Sequence, residues 1–325
     1  MKILPVMSVA LMLVAAGCQQ TPVTKENVNP AATRASVAQL SFATQDDAVA
    51  ALLAAVKTGD STTMKELFGP ASDELVSPDK VQADNALKAF DRKATEKLRS
   101  AEVKKDTVVL YIGNEDWPFP IPLVKGRDGK WFYDTEAGKA EILARRIGAD
   151  ELETIDVCRA YVAAQREYGS RDRDGDGVLQ YAQRVTSHEG QHDGLYWKAG
   201  ENEEQSPLGP LMAQAEREGY DAQAHTPRSG DPFHGYYFRV LKAQGAAAPG
   251  GAYSYVINGS MIAGFGMVAS PAEYGNTGVM TFIVNHQGKV YEKDLGPKTA
   301  EIVAKMTEYN PDKSWHLVTG DVASK

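Results

Sequence analysis

Apolar residues along this chain change their spacing several times, and each change predicts an element. Ile3 to Ala16 is a nearly unbroken apolar run, interrupted only by Pro5 and Ser8. Gln19 to Leu40 is polar, carries Pro22 and Pro30, and has no period, which predicts a flexible stalk. Ala48, Ala51, Leu52, Ala55 and Val56 then follow a three-four spacing behind Thr44, as in a capped helix. Gly59-Asp60 breaks it; Met64, Leu67 and Phe68 mark a second helical stretch, and a third lies between Ala83 and Leu98. Alternation takes over at Val103 with Thr107 to Ile112, at Phe119 to Lys125, and at Lys130 to Tyr133 after the turn Arg127-Asp128-Gly129.

Asp134 to Arg146 reads as a charged helical connector that Gly148 ends. Asp150 would then cap a new helix to Tyr168, with Leu152, Ile155, Cys158, Val162 and Gln165 along one stripe. A loop-rich region to about Gln205 and a short helix from Leu208 to Glu218 follow. Tyr236 to Ala243, Tyr253 to Asn258, Met261 to Ser270, Gly278 to Asn285 and Lys289 to Asp294 are alternating or solidly apolar, with Gly-rich turns between them, as in an antiparallel meander. The fold class expected is α+β, with a leader at 1–17, a stalk at 18–40 and domains at 41–147 and 148–325.

Composition changes this picture little and narrows the function. The 325 residues include 43 acidic and 35 basic side chains, a net charge of −8, with the excess acid in the second half. No basic field exists to hold phosphates, so nucleic acid is not an expected partner. The apolar run Ile3 to Ala16 is shorter than the roughly 20 residues that span a bilayer. It ends in Val14-Ala15-Ala16-Gly17-Cys18, which resembles the lipobox of bacterial lipoproteins, although Ala15 stands where Leu is usual. That resemblance implies acylation of Cys18, which becomes the mature N-terminus and attaches the chain to a membrane by lipid. Gln19, in place of Asp, implies the outer membrane of a Gram-negative envelope, facing the periplasm. Cys158 is then the remaining thiol, and its place in a helical stripe predicts a buried structural residue.

Helices followed by hairpins over 41–147 resemble the cone-shaped nuclear-transport-factor-2-like (NTF2-like) domains. The segments RAYVAAQREY, DRDGDGVLQYA, DGLYW, SPLGPL, HGYYFRVL, PGGAYSYVINGSMIAGFG and GVMTFIVNHQGKVYEKDLG together resemble the bacterial envelope family known as domain of unknown function 2950. One helix feeding a meander is also similar to the globular part of type IV pilins and type II secretion pseudopilins. The chain departs from those in lacking their long apolar N-terminal half-helix, so a pilin-like fold is implied without filament assembly.

Two segments carry candidate chemistry. Asp172, Asp174 and Asp176 begin a D-x-D-x-D-G loop, in which alternate carboxylates converge on a calcium ion and Gly177 permits the turn. The twelfth position holds Gln183 where an EF-hand has Glu, which predicts weaker binding; a solvated Asp-Gly turn with Arg171 and Arg173 as counter-charges is the alternative. His188-Glu189-Gly190-Gln191-His192 satisfies H-E-x-x-H, which on a helix binds zinc through both His while Glu189 activates water, with Glu216 or Glu218 as a third ligand. Gly190 and Asp193-Gly194 oppose that helix. Trp117-Pro118-Phe119-Pro120 could line a cleft or close a core, and Phe233 to Arg239 could stack a ligand or form a strand. No nucleophile elbow, phosphate loop or dinucleotide motif occurs. The expected function is a non-catalytic envelope binding or assembly module with an envelope protein partner. The alternatives are a zinc hydrolase using His188, Glu189 and His192, and a small-molecule carrier, which requires a sizeable apolar cavity in the N-terminal domain.

Overall fold

Thr44 begins the first element as its sequence predicts: its hydroxyl accepts from the Asp47 amide at 3.1 Å and caps α1, Gln45–Thr58. Gly59, at φ +65°, ends it in the left-handed conformation that costs glycine least. In the computed structural model, residues 38–200, 202–221 and 231–319 are described, and they belong to one compact unit. Asp60 caps α2 (Ser61–Phe68), a 3₁₀ turn spans Pro70–Leu75, and Asp79 caps α3 (Lys80–Glu96) by accepting from the Gln82 amide at 2.9 Å. The leader expected at 1–17, Cys18 and most of the stalk expected at 18–40 lie outside the described residues.

The strands that follow are β1 (Leu98–Lys104), β2 (Thr107–Ile112), β3 (Trp117–Pro118), β4 (Leu123–Lys125) and β5 (Trp131–Tyr133). They form an antiparallel sheet in the order β1-β2-β4-β5, with β3 also on β2. Val108 and Leu110 point inward from β2 and share one core with Leu52, Val56 and Leu67 of the helices, and Ile112 on the same face is buried beside the cavity described below. The strand expected over Phe119 to Lys125 is shorter than predicted, because Pro118, Pro120 and Pro122 each lack the amide a ladder needs.

Helix α4 corrects the sequence reading most. It runs unbroken from Thr135 to Tyr168, 34 residues, through Gly148. Asp134 supplies the cap, accepting from the Ala137 amide at 3.1 Å, and Asp150 lies inside the helix at 1% exposure. A helical glycine costs only about 1 kcal/mol, which packing at both ends of α4 outweighs. Of the expected stripe, Ile155, Cys158, Val162 and Gln165 are buried, joined by Thr154 and Tyr161, whereas Leu152 is exposed.

After α5 (Gly209–Glu218) come β6 (Tyr236–Leu241), β7 (Ala243–Gln244), β8 (Tyr253–Ser254), β9 (Val256–Ile257), β10 (Ser260–Met261), β11 (Gly266–Pro271), β12 (Met280–Asn285) and β13 (Tyr291–Asp294). A short helix α6 (Thr299–Ala304) and β14 (His316–Leu317) complete the described fold. The main sheet has the antiparallel order β14-β13-β12-β11-β6, in register Gly266↔Asn285 and Gly266↔Leu241. Met267, Ala269, Phe282 and Val284 face the core that α4 covers, and Val268 and Ile283 face a second core with Val303, Tyr309 and Trp315. Burial on both faces is why β11 and β12 read as solid apolar runs. The strand expected at Tyr253 to Asn258 is instead two two-residue ladders, because Asn258 (φ +51°) and Gly259 (φ +92°) fold the segment back at once, and the one expected from Met261 to Ser270 divides at Gly264 (φ +144°) into β10 and β11. The chain is therefore α+β, as expected, and no helix among the described residues is long and apolar enough to cross a membrane.

Candidate ligand-binding cavity

Only Ala94 of α3 is fully buried, so the apolar face of that helix does not close on a packed core. Ala83, Leu87 and Phe90 instead face a cavity of about 800 Å³, bounded also by α1, α2, the 3₁₀ turn, the Trp117–Ile121 segment and the middle of α4. Packed interiors leave few voids larger than a water molecule, and this volume falls in the range of small-molecule pockets. Phe68, Phe90 and Phe119 form an aromatic wall, with Phe90 and Phe119 edge to face at 5.5 Å and Phe68 and Phe119 at 6.2 Å. Trp117, still 37% exposed, stands at one end, with the Arg145 guanidinium 4.9 Å from its ring centroid. The Trp-Pro-Phe-Pro motif thus does both things the sequence allows: Phe119 packs on the core and Trp117 borders a cleft.

The inner end of the cavity is polar. Gln82 of α3 donates from Nε2 to Oδ1 of Asp150, and Arg146 donates to Oδ1 of Asn276 and to the Leu75 carbonyl. Asp79, 2% exposed, accepts from Tyr220 Oη at 2.9 Å and from the Gly235 amide at 3.1 Å. Burial, reinforced by the carboxylates of Asp79 and Glu151, pushes the Asp150 carboxyl up to about 7; Gln82 and Arg146 pull the other way. Desolvation likewise lowers the Arg146 guanidinium from its usual value, against the pull of Asp150 and Glu273. Sequence reasoning missed this end because Asp150 was assigned to a helix cap. Its signal was present: with α4 continued through Gly148, Asp150 falls four residues before buried Thr154 and eight before Cys158.

The predicted ion sites lie elsewhere. Asp172, Asp174 and Asp176 do come together, with one carboxylate oxygen of each within 4.8 Å of the others. Asp172 accepts from the amides of Gly175 at 2.8 Å and Gly177 at 2.9 Å, Asp176 accepts from Val178 at 2.8 Å, and Gln180 donates to Asp174 at 2.6 Å. Amide bonds, led by that from Gly177, lower the Asp172 carboxyl, while desolvation and the neighbouring Asp176 raise Asp174. Gln183 is not a ligand here; it donates to Gly259 O at 2.6 Å and accepts from Lys242 at 2.9 Å. Three carboxylates fit a hard cation, but calcium takes six to eight oxygens, so water would complete the shell. Arg173 lies beneath, its side chain 5% exposed and its guanidinium 4.7 Å from the Tyr168 ring centroid.

The zinc reading loses its basis. Residues 188–192 form a turn and extended loop, with Gly190 at φ +72°, in place of the required helix. His188 Nδ1 pairs with Asp193 at 2.7 Å, whereas the His192 ring stacks on Trp197 at 4.2 Å and 15°. Glu189 is exposed in the turn, Glu216 accepts from Tyr196 Oη at 3.4 Å, and Glu218 pairs with His234 at 3.2 Å. Cys158 is fully buried, and burial pushes its thiol up to about 12, which leaves it unreactive.

In comparisons with known proteins, residues 39–318 match the family described as "Protein of unknown function (DUF2950)". No curated protein and no solved structure matches the chain. A match over most of its length, with the segments that suggested this family all inside it, means that the chain belongs to the DUF2950 family.

Proposed function

We propose that the chain is a non-catalytic binding protein of the bacterial envelope, acylated at Cys18 and held at the outer membrane facing the periplasm, that carries an apolar ligand between α3 and α4. The cavity of about 800 Å³ beneath a half-covered α3 is the observation that carries this reading. The lipobox-like run ending at Cys18 supports the address. On this reading the N-terminal half is an NTF2-like cone whose open end is the cavity. The helix-on-sheet half is pilin-like and serves contact with an envelope protein partner.

The test uses the full chain extracted from envelope membranes, where the mass of its N-terminal peptide reports acylation of Cys18. An uncharged long-chain alcohol carrying a photoactivatable diazirine is expected to label peptides within 80–96 and 142–150. Leu87→Trp, which places an indole in the void, should lower that labelling about tenfold, the scale of losing roughly 1.4 kcal/mol of binding. Labelling scattered over the surface, or unchanged by Leu87→Trp, would overturn the carrier reading.

Calcium at Asp172, Asp174 and Asp176 is the structural ion of the same proposal. Added calcium should raise the melting temperature of the wild type and leave Asp174→Asn unmoved. Equal responses would reduce the loop to the hydrogen-bonded turn its amides already make.

A further inference from the structure

The charges that line the cavity point to the class of ligand. Lys65, Lys93, Arg145 and Arg146 border it, against Asp84 and Asp150. The two acids offer it little. Asp84 is exposed, and Asp150 gives Oδ1 to Gln82. Its Oδ2, buried without a hydrogen-bond partner, lies against Gly235 and Thr277, neither of which lines the cavity. An ammonium head would therefore find no acceptor. Two of the cations are already engaged, Lys65 with Asp73 at 2.7 Å and Arg146 with Asn276 and the Leu75 carbonyl.

Lys93 and Arg145 remain, and the fold brings both to the Trp117 end. Lys93 lies in the last turn of α3 against Gly113, where a Cβ would be 3.5 Å from the Lys93 Cβ. Ile112, the residue before, pairs with Trp117 across β2 and β3, and the Arg145 guanidinium lies on the Trp117 ring. Both cations have donors to spare among the described residues. Lys93 Nζ makes no hydrogen bond, and its nearest carboxylate oxygen, on Glu115, is 3.7 Å away. Arg145 donates from Nε to Glu141 at 2.6 Å and from Nη1 to the Pro118 carbonyl at 3.3 Å, which leaves Nη2. The side chains of Glu115 and Glu141 are 67% and 55% exposed, and ion pairs so exposed contribute little. A carboxylate carried in on an apolar chain can therefore compete with them. At the inner end an anion would instead meet Asp150, with Asp79 and Glu151 close by. From Gln82 to Lys93, both at the cavity's edge, α3 rises about 16 Å at 1.5 Å per residue, with Leu87 and Phe90 between them.

We infer that the cavity takes a long-chain carboxylate, its head held by Lys93 and Arg145 beside Trp117 and its single apolar chain lying along α3 against Phe68, Phe90 and Phe119. This rests on the carrier reading and narrows it. A charge-assisted bond of this kind is about twice as strong as a neutral one.

The test uses the full chain and diazirine probes of one chain length bearing a carboxylate, an amine or an uncharged alcohol head. At pH 7.5, where a free carboxyl is ionised, the carboxylate should label 80–96 and 142–150 about fivefold more than the alcohol, the scale of roughly 1 kcal/mol. The amine should label them less than either. In the double variant Lys93→Gln, Arg145→Gln the carboxylate's advantage over the alcohol should disappear. An advantage that survives both substitutions would overturn the assignment of these two side chains. Carboxylate and alcohol labelling the wild type equally, or the amine labelling most, would overturn the carboxylate assignment while leaving the carrier reading in place. Labelling of these peptides by none of the probes would overturn both. The wild-type comparison needs no variant to fold.

Discussion

Asp150→Asn is expected to gain stability relative to the wild type as pH rises from 4 to 8, by as much as about 4 kcal/mol if Asp150 titrates near 7 in the folded chain and near its model value of 3.8 when unfolded. The sign follows from the direction of the shift. Between those two values the folded protein holds a proton that the unfolded chain has released, so raising the pH favours unfolding. Below about 4 both states are protonated and the contribution is fully present; above about 7 both are ionised and it is lost. Asparagine keeps the acceptor for Gln82 and does not titrate. Thermal melts of both proteins should therefore separate by roughly 10 °C more at pH 8 than at pH 4, using about 2–4 °C per kcal/mol for a unit of this size. A separation independent of pH would mean that folding leaves the Asp150 carboxyl unshifted, and that its burial adds no pH-dependent cost.

Gly138→Ala should destabilise the protein by about 2–3 kcal/mol, read as a fall in melting temperature of several degrees. Helix propensity alone predicts the opposite, a gain of up to about 1 kcal/mol. The close approach decides between them. A Cβ at Gly138 would lie 2.7 Å from the Pro120 carbonyl oxygen and 2.9 Å from the Ile121 Cα. These are backbone atoms of a segment tied to β2 and β4, and they cannot swing aside as a long side chain would. Pro120 and Ile121 also line the cavity, so a helix pushed outward should weaken capture of the uncharged alcohol probe as well. A melting temperature equal to or above the wild type would show that α4 does not seat as closely as this contact requires.

The elements most readable from sequence were those whose period and caps agree. Thr44 caps the first helix as expected, the stretches expected after Gly59-Asp60 and from Ala83 appear as α2 and α3, the latter begun three residues earlier behind Asp79, and the apolar runs of β11 and β12 are buried on both faces. Gly148 misled because its helical cost is small and is met by distant packing, which local pattern does not register. The prolines of the Trp117 segment were visible, but where their missing amides would divide a strand depends on partners found only in the sheet. For the sites the difference is sharper. The Asp172 loop forms from residues adjacent in sequence, so its convergence was legible. The cavity end joins Gln82, Arg146, Asp150 and Asn276 across nearly 200 positions, and neither spacing nor composition marks such a set. The H-E-x-x-H match shows the converse, since five residues in order carry no chemistry once glycine turns the backbone.

Because α4 has no interruption, the cavity and the large sheet share one ladder of backbone hydrogen bonds some 50 Å long, at 1.5 Å for each of its 34 residues. The turn that carries Asp150 is followed directly by the turns that seat Cys158 and Tyr161 in the sheet's core. Helical hydrogen bonds form and break cooperatively, so neither half can be cut away at the middle of α4 without fraying the turns on which the other rests. The cavity and the sheet are thus a single cooperative body, and a ligand held in the cavity would act on the stability of both.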